Sequence, residues 1–293
     1  NTMEWSPPAD LPSQELASQY DTVVVFLDEL NSAPPSVQAA SYQLILNGRI
    51  GQYVVPKNVR FVAAGNRETD RGVTFRMPAP LANRFRHINM EVNFEDWQQW
   101  AVNNNIHADV VGYLSYAKQD LFDFDPKTSS QAFATPRSWS YISEILNVNG
   151  FADAGRKEQL AELAGAIGEG MAIKFNEHRK IAADLPNPTD ILNGKVKELN
   201  SKVAKEISAK YSLVVGLAYE VNEAYKEAGS VNDKMGVMLN HMIRFAFNNF
   251  EPEMVIFALK TLMKDYKIVF NFRKVLDKDV QATFNEKYLK YIV

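Results

Sequence analysis

The sequence predicts an α/β domain followed by a long all-helical region. Residues 1–94 mix short apolar strand-like runs with turns and one helical stretch, so that strand, helix and strand alternate as in a parallel sheet flanked by helices. The rest of the chain carries helical patterns almost throughout. Two prolines within 184–190 cannot continue a helix and mark the best internal boundary. We therefore expect an α/β part at 1–94, a helical region at 95–183 and a helical extension at 184–293.

The first predicted elements are a strand, a helix and a hairpin. The run Val23 to Leu27 is short, continuous and rich in valine, which is typical of a strand buried on both faces under helices. Pro34 and Pro35 indicate a helix start, and Asn47-Gly48 indicates its end. Residues 49–60 are expected to form a hairpin or a short β excursion.

Two further strands are predicted before the helical region begins. The segment 59–66, with the sequence FVAAGN from residue 61, is apolar and ends on a polar tip. The segment 87–92, HINMEV, alternates apolar and polar residues and predicts a third strand.

The helical region shows recognisable helix starts. Asn93 is a predicted N-cap, and Thr135 followed by Pro136 predicts another helix start. Helical spacing also marks residues 110–117 and the glycine-bearing run at 160–171.

Two apolar stripes of the extension each allow two interpretations. The spacing of Val196, Leu199, Val203 and Ile207 is close to a heptad, but the run is short, so an amphipathic helix packed on its own domain is favoured over a coiled coil. The methionine-rich stripe from 235 to 245 suits an adaptable partner surface, but core packing is favoured.

Composition excludes several classes of site. The chain of 293 residues has no cysteine, so disulfides, thiolate catalysis and cysteine-bound zinc are excluded. Its four histidines show no metal-ligand spacing. With 32 basic and 35 acidic residues the net charge is −3, which gives no electrostatic case for bulk nucleic-acid or membrane binding. No apolar run approaches the roughly 20 residues of a membrane span, and a cytoplasmic protein is the default expectation.

Polar side chains follow two of the predicted strands. Asp28 and Glu29 come directly after the first, and Asn66 ends the second. In a parallel sheet with helices on its faces, ligands bind at the carboxyl ends of the strands. Two carboxylates and an amide at that edge would suit a magnesium-bound polyphosphate, with one carboxylate near the metal and its neighbour activating a water. The alternative is a solvated strand end without chemistry, since short motifs often match by chance.

Three arginines follow in a specific order. Arg84 and Arg86 precede the predicted third strand, and Arg137 lies at the predicted helix start after Thr135. Each could be ordinary surface charge. The order of an acidic pair, a strand-end asparagine, an arginine before a strand and an arginine at a helix start is nevertheless specific.

These motifs resemble those of AAA+ ATPases of the MoxR type. VVVFLDELNSAPPSVQAA resembles the Walker B strand of that family and the run that follows it, and FVAAGNRET resembles its sensor 1 strand. LANRF resembles the arginine-finger segment and TPRSW the start of the sensor 2 helix. EWSPPADLP and GAIGEGMAIKF resemble segments of a bacterial and phage subgroup of these ATPases. The resemblance covers most of residues 1–190 and is only general beyond them.

The resemblance implies a role for each motif residue. Asp28 would support Mg²⁺, mostly through water, and Glu29 would be the general base. Asn66 would be sensor 1. Arg84 would be the arginine finger that acts on ATP in the adjacent subunit, and Arg137 would be sensor 2.

One part of the family pattern is missing from the sequence. A AAA+ enzyme needs a phosphate loop of the form GxxxxGK[ST], which in this fold precedes the Walker B strand, and no such string occurs here. The glycine run at 164–170 has no GK[ST] and is better explained by helix packing. We therefore expect the natural protein to carry an N-terminal piece beyond this sequence, and the segment alone to be inactive.

The expected function is an ATP-hydrolysing remodelling machine that works as a ring, by resemblance a hexamer, with ATP and Mg²⁺ as ligands. A client protein is expected, and by resemblance a partner carrying a von Willebrand factor A domain. One alternative is a nucleotide-independent AAA+-like scaffold. Another is a nucleic-acid motor, which the acidic balance disfavours although basic residues occur within 47–60.

Overall fold

The computed structural model describes most of the chain in two compact units. The division falls between Met90 and Glu91. The predicted division into three parts stays a prediction. The residues described are 10–67, 74–125, 131–201, 203–268 and 272–288.

The first unit is a small α/β unit. Its two longer strands, β1 and β4, run parallel with Val23 opposite Val59 and Leu27 opposite Ala63. Strands β2 and β3 form an antiparallel hairpin. The predicted first and second strands and the hairpin are therefore confirmed. In chain order the elements are α1 (Gln14–Ala17), β1 (Val23–Leu27), a 3-10 turn (Leu30–Ser32), α2 (Pro35–Asn47), β2 (Arg49–Ile50), β3 (Tyr53–Val54), β4 (Val59–Ala63) and α3 (Ala79–Ala82).

Helix α2 begins and ends where the sequence indicates. Pro35 occupies the first turn, where its missing N–H costs no helical hydrogen bond. Gly48 follows the helix with φ 62°, and its N–H donates to the carbonyl of Gln43. Glycine adopts this left-handed cap without steric cost, and the chain can turn directly into β2.

The prediction that the first strand is buried on both faces is wrong. Val24 and Phe26 are 58% and 57% exposed, and Val62, opposite Phe26, is also exposed. The alternate residues Val23 and Val25 are only half-buried. A continuous apolar run does not reveal which faces of a sheet are covered, because the covering elements come from elsewhere in the chain.

The predicted third strand at 87–92 is also wrong. These residues form no strand, and Ile88 and Met90 are 74% and 88% exposed. Their alternation fits a strand, but a strand also needs a neighbour that accepts and donates its backbone hydrogen bonds. Among the described residues this segment has no such neighbour.

The second unit is helical. Asn93 caps α4 by accepting a hydrogen bond from the Asp96 N–H at 2.9 Å, as predicted. The predicted helices at 110–117 and from Pro136 are also confirmed. The helices are α4 (Phe94–Asn103), α5 (Ala108–Tyr116), α6 (Pro136–Asn147), α7 (Arg156–Ile167), α8 (Glu169–Ala182), α9 (Pro188–Leu192), α10 (Ile207–Ala228), α11 (Asp233–Asn249), α12 (Pro252–Lys260), α13 (Phe272–Val275) and α14 (Lys278–Lys287). A π-helical turn, Thr261–Asp265, follows α12.

Two apolar cores hold this unit together. One surrounds the fully buried Trp139 and Phe175, and the other lies between α10, α11, α12 and α14. Met235 and Met242 are buried in the second core, which confirms the core-packing interpretation of the methionine stripe.

The helix expected across Val196 to Ile207 is wrong for most of its length. Gly194 turns the chain with φ 74°, and α10 begins only at Ile207. The segment between them is held by Asn249 of α11, whose Oδ1 accepts from the Leu199 N–H at 2.8 Å and whose Nδ2 donates to the Lys197 carbonyl at 2.9 Å. A side chain fifty residues away thus supplies hydrogen bonds that a helix would otherwise provide.

The glycine run near 165 is helical, as predicted, but Gly168 divides it. Gly168 has φ 84° and separates α7 from α8. In the part of the chain that the structure describes, no helix combines the length and the apolar character needed to cross a bilayer.

Candidate functional site at the strand ends

The acidic pair lies in a strained turn at the carboxyl end of β1. Glu29 adopts a left-handed conformation with φ 50° and ψ 37°, and its N–H donates to Asp28 Oδ1 at 3.0 Å. A left-handed conformation costs a non-glycine residue about 1–2 kcal/mol. The 3-10 turn that starts at Leu30 fixes it from the other side, since the Ser32 N–H donates to the Glu29 carbonyl at 2.8 Å.

Both carboxylates of this turn are exposed and available. Within the described ranges neither Asp28 nor Glu29 forms an ion pair with a basic side chain. Water therefore solvates the two adjacent negative charges, and the cation that the sequence leads us to expect beside them stays a prediction.

The turn after β4 lies directly beside the acidic turn. Because β1 and β4 are parallel neighbours, the segments that follow the two strands leave the sheet at the same edge. The Ala64 N–H donates to the Leu27 carbonyl, and the Leu30 N–H donates to the Ala64 carbonyl, each at 3.0 Å. The ladder thus continues past the strands, and Asn66 follows two residues later with an exposed side chain. The structure brings Asp28, Glu29 and Asn66 to one edge.

A residue without a role in the sequence analysis connects these two turns. Asn31 Nδ2 donates to the Asn66 carbonyl oxygen at 2.6 Å, across a separation of 35 residues. The Asn31 carbonyl accepts from the Phe75 N–H at 2.7 Å. A polar residue two positions after the acidic pair could have indicated a role at this site, but its hydrogen-bond partner cannot be predicted from local sequence.

Gln38 supports the same region from helix α2. Its side chain is fully buried and its Nε2 donates to the Ala33 carbonyl at 2.9 Å. This bond fixes the chain between the acidic turn and the helix.

Arg84 lies in the same unit, in the turn after α3. Its backbone N–H donates to the Leu81 carbonyl at 3.0 Å, and Leu81 is fully buried. The side chains of Arg84 and Arg86 are exposed, and no carboxylate among the described residues pairs with either guanidinium. The backbone is thus anchored while the charge of Arg84 is available to another molecule.

Arg137 belongs to the second unit, at the second position of α6. Thr135 and Ser138 form a reciprocal capping box, with Thr135 Oγ1 accepting from the Ser138 N–H at 3.0 Å and Ser138 Oγ accepting from the Thr135 N–H at 2.8 Å. Trp139 is buried and its Nε1 donates to the Asp120 carbonyl at 2.9 Å. These hydrogen bonds hold the helix start in place, and the Arg137 side chain is exposed. Its action on a nucleotide stays a prediction.

Comparison of the chain with protein-family models, with curated proteins and with solved structures finds no match in any of the three.

The donors at the strand ends fit Mg²⁺ in its usual protein setting. The described residues hold no group of three or more histidine, aspartate or glutamate side chains that could chelate a metal. Mg²⁺, however, is usually bound through one or two carboxylates together with water and substrate phosphates. The exposed Asp28 carboxylate can supply such a contact, directly or through water.

Proposed function

We propose that this chain belongs to a MoxR-type AAA+ ATPase and carries its Walker B, sensor 1 and arginine-finger segments. The observation that carries the proposal is the strained, exposed Glu29, held at the edge of the sheet beside the turn that bears Asn66. Strained non-glycine residues cluster at functional sites, because an ordinary surface turn would select a residue that tolerates the conformation.

In the proposed mechanism Glu29 accepts a proton from water as the water attacks the terminal phosphorus of ATP. The Asn66 amide orients that water or the γ-phosphate. Mg²⁺ supported by Asp28 would neutralise charge on the phosphates. Because Glu29 is exposed and forms no ion pair with the described residues, its carboxylate is free to reach a water beside a bound nucleotide.

Arg84 supplies positive charge to the site of the adjacent subunit. Its exposed, unpaired guanidinium can stabilise the charge that develops on the transferred phosphoryl group. Hydrolysis then requires a ring, which we propose to be a hexamer, and the rate rises steeply with protein concentration. The work would be remodelling of a client, with a von Willebrand factor A domain protein as the proposed partner.

A mixing experiment on the full-length gene product tests this proposal. Glu29→Gln keeps the finger and loses the base, whereas Arg84→Ala keeps the base and loses the finger. Each variant alone should be inactive, with a loss of about 10³-fold or more for Arg84→Ala. In mixed rings some interfaces pair an intact base with an intact finger, so activity should partly return.

Arg86→Ala is the matched control, since Arg86 is also exposed and lies two residues away. It should keep most of the activity. If the mixture of the two inactive variants stays inactive, or if Arg86→Ala is as damaging as Arg84→Ala, the shared site is wrong.

The missing phosphate loop supports a second candidate, a nucleotide-independent scaffold with a AAA+-like fold. The gene sequence upstream of Asn1 separates the two. A GxxxxGK[ST] string there supports the ATPase, and a complete gene without one supports the scaffold.

A further inference from the structure

Asn31 connects the two turns of the candidate site more directly than any other side chain described there. Its Nδ2 donates to the Asn66 backbone carbonyl at 2.6 Å, and the Asn31 backbone carbonyl accepts a hydrogen bond from the Phe75 N–H. It lies only two residues after Glu29. The positions of the proposed base and of the proposed sensor therefore both depend on where the Asn31 side chain lies.

The other end of the Asn31 amide lies against Gly65. A Cβ built on Gly65 would lie 2.2 Å from Asn31 Oδ1 and 2.8 Å from Asn31 Cγ. Asn31 Oδ1 is buried and accepts no hydrogen bond from the described residues. Only a residue without a side chain at position 65 lets the amide reach the Asn66 carbonyl. The hydrogen bond from Asn31 to Asn66 thus depends on glycine at position 65.

We infer that Asn31 is a positioning residue that sets the separation between Glu29 and Asn66. The inference rests on the proposed function, in which Glu29 and Asn66 act together on the attacking water and the phosphate that it attacks. Asn31 acts through them rather than on the nucleotide. Catalytic groups tolerate little displacement, and about 1 Å of misplacement can cost about 10²-fold in rate.

A purely structural role for Asn31 makes different predictions. Loss of stability would lower the folded fraction and leave the catalysis of the folded molecules unchanged. Loss of positioning lowers kcat in fully folded protein and leaves the KM for ATP nearly unchanged, because the contact touches the turns and not the nucleotide.

The test is a double-mutant cycle in the full-length gene product with Asn31→Ala, Gly65→Ala and the pair. Each single variant should lower kcat about tenfold or more, with KM within about twofold of the wild type. Gly65→Ala acts by displacing the Asn31 side chain, so it should have no further effect once that side chain is removed. The double variant should match Asn31→Ala.

Asn31→Asp is the conservative variant. It keeps the size of the side chain but cannot donate to the Asn66 carbonyl, so it should lose kcat like Asn31→Ala, and denaturation curves should show all variants folded at the assay temperature. The inference is overturned if the two single effects multiply, if Asn31→Asp keeps wild-type kcat, or if the loss of activity follows the folded fraction.

A second measurement separates this inference from the proposed function. If the wild type hydrolyses no ATP, the proposed function fails, and amide exchange in this chain still tests the contact. Asn31→Ala should speed exchange of the Leu30 and Ala64 N–H groups, which bond across the two turns. Unchanged exchange would show that Asn31 does not position them.

Discussion

Replacement of Gly112 by alanine should destabilise the helical unit strongly. Gly112 lies in α5, facing Ser212 of α10. A Cβ on Gly112 would lie 2.2 Å from Ser212 Oγ and 2.5 Å from Ser212 Cα. Carbon atoms pack at about 3.5–4.0 Å, so the two helices would have to separate by about 1 Å. The second contact is with backbone, and a change of side-chain rotamer cannot relieve it.

The loss of stability can be estimated from the contacts between α5 and α10 at this crossing. Overpacking of a core costs about 1–3 kcal/mol. Separation of the helices also stretches the buried hydrogen bond between Ser212 Oγ and His178 Nε2, now 2.9 Å, which contributes about 1 kcal/mol. Alanine itself brings a gain of about 0.4–1 kcal/mol at a compatible site. We therefore expect Gly112→Ala to lower the free energy of unfolding by about 2 kcal/mol, as measured by urea denaturation followed through tryptophan fluorescence.

Gly165→Ala is the matched control. Gly165 lies inside α7 with no atom within 4 Å of its would-be Cβ, so alanine should stabilise the chain by about 0.4–1 kcal/mol. Adding Ser212→Gly to Gly112→Ala leaves the clash with the Ser212 backbone and also removes the hydrogen bond to His178, so it should not restore the lost stability. A loss below about 1 kcal/mol for Gly112→Ala would refute the close crossing of α5 and α10.

Three further results are expected. This chain alone should bind Mg²⁺·ATP no more tightly than the millimolar range, about −4 kcal/mol in a calorimetric titration, and micromolar binding would contradict the expected location of the phosphate loop. In the full-length protein Glu29→Gln should keep ATP affinity and lose hydrolysis, because an amide cannot accept the proton from water; turnover within a few-fold of the wild type would exclude Glu29 as the base. Burial lowers the pKa of His178 from 6.5 to about 4. Between these pH values the unfolded chain binds a proton that the folded chain does not. The contribution of His178 to the free energy of unfolding is therefore complete above pH 6.5, and about 3 kcal/mol of it is lost as the pH falls to 4. Urea denaturation at pH 7 and pH 4.5 should show a smaller decrease for His178→Gln than for the wild type, and equal decreases would contradict this assignment.

Local chemistry predicted the elements whose signals are local. The valine run of β1, the prolines that open α2, the glycine that ends it and the Thr135-Pro136 start of α6 each act within one turn of the chain. The parallel pairing of β1 with β4 followed from their alternation with a helix. These features place Asp28, Glu29 and Asn66 at one edge without knowledge of the rest of the fold.

The features that sequence missed depend on partners far along the chain. Asn249 replaces helical hydrogen bonds in the segment before α10, and Asn31 finds its partner 35 residues away. The exposure of Phe26 and the unpaired segment at 87–92 depend on which other elements cover or pair with them. Periodicity reports the faces of an element but not what lies against them.

The strain at Glu29 allows a direct test of whether this turn is kept for function. Glu29 and Lys267 both have positive φ, 50° and 55°. Glycine relieves a left-handed conformation that costs about 1–2 kcal/mol, and the greater freedom of the unfolded chain offsets about 0.4–1 kcal/mol of this. Glu29→Gly and Lys267→Gly should therefore each raise the free energy of unfolding by about 0.5–1 kcal/mol in denaturant titrations. Only Glu29→Gly should abolish ATP hydrolysis by the full-length protein. Suppose that both variants gain stability and that only Glu29→Gly loses activity. The strained glutamate is then retained for chemistry. If Glu29→Gly instead destabilises the chain, the glutamate side chain supports the turn, and the strain no longer indicates a catalytic base.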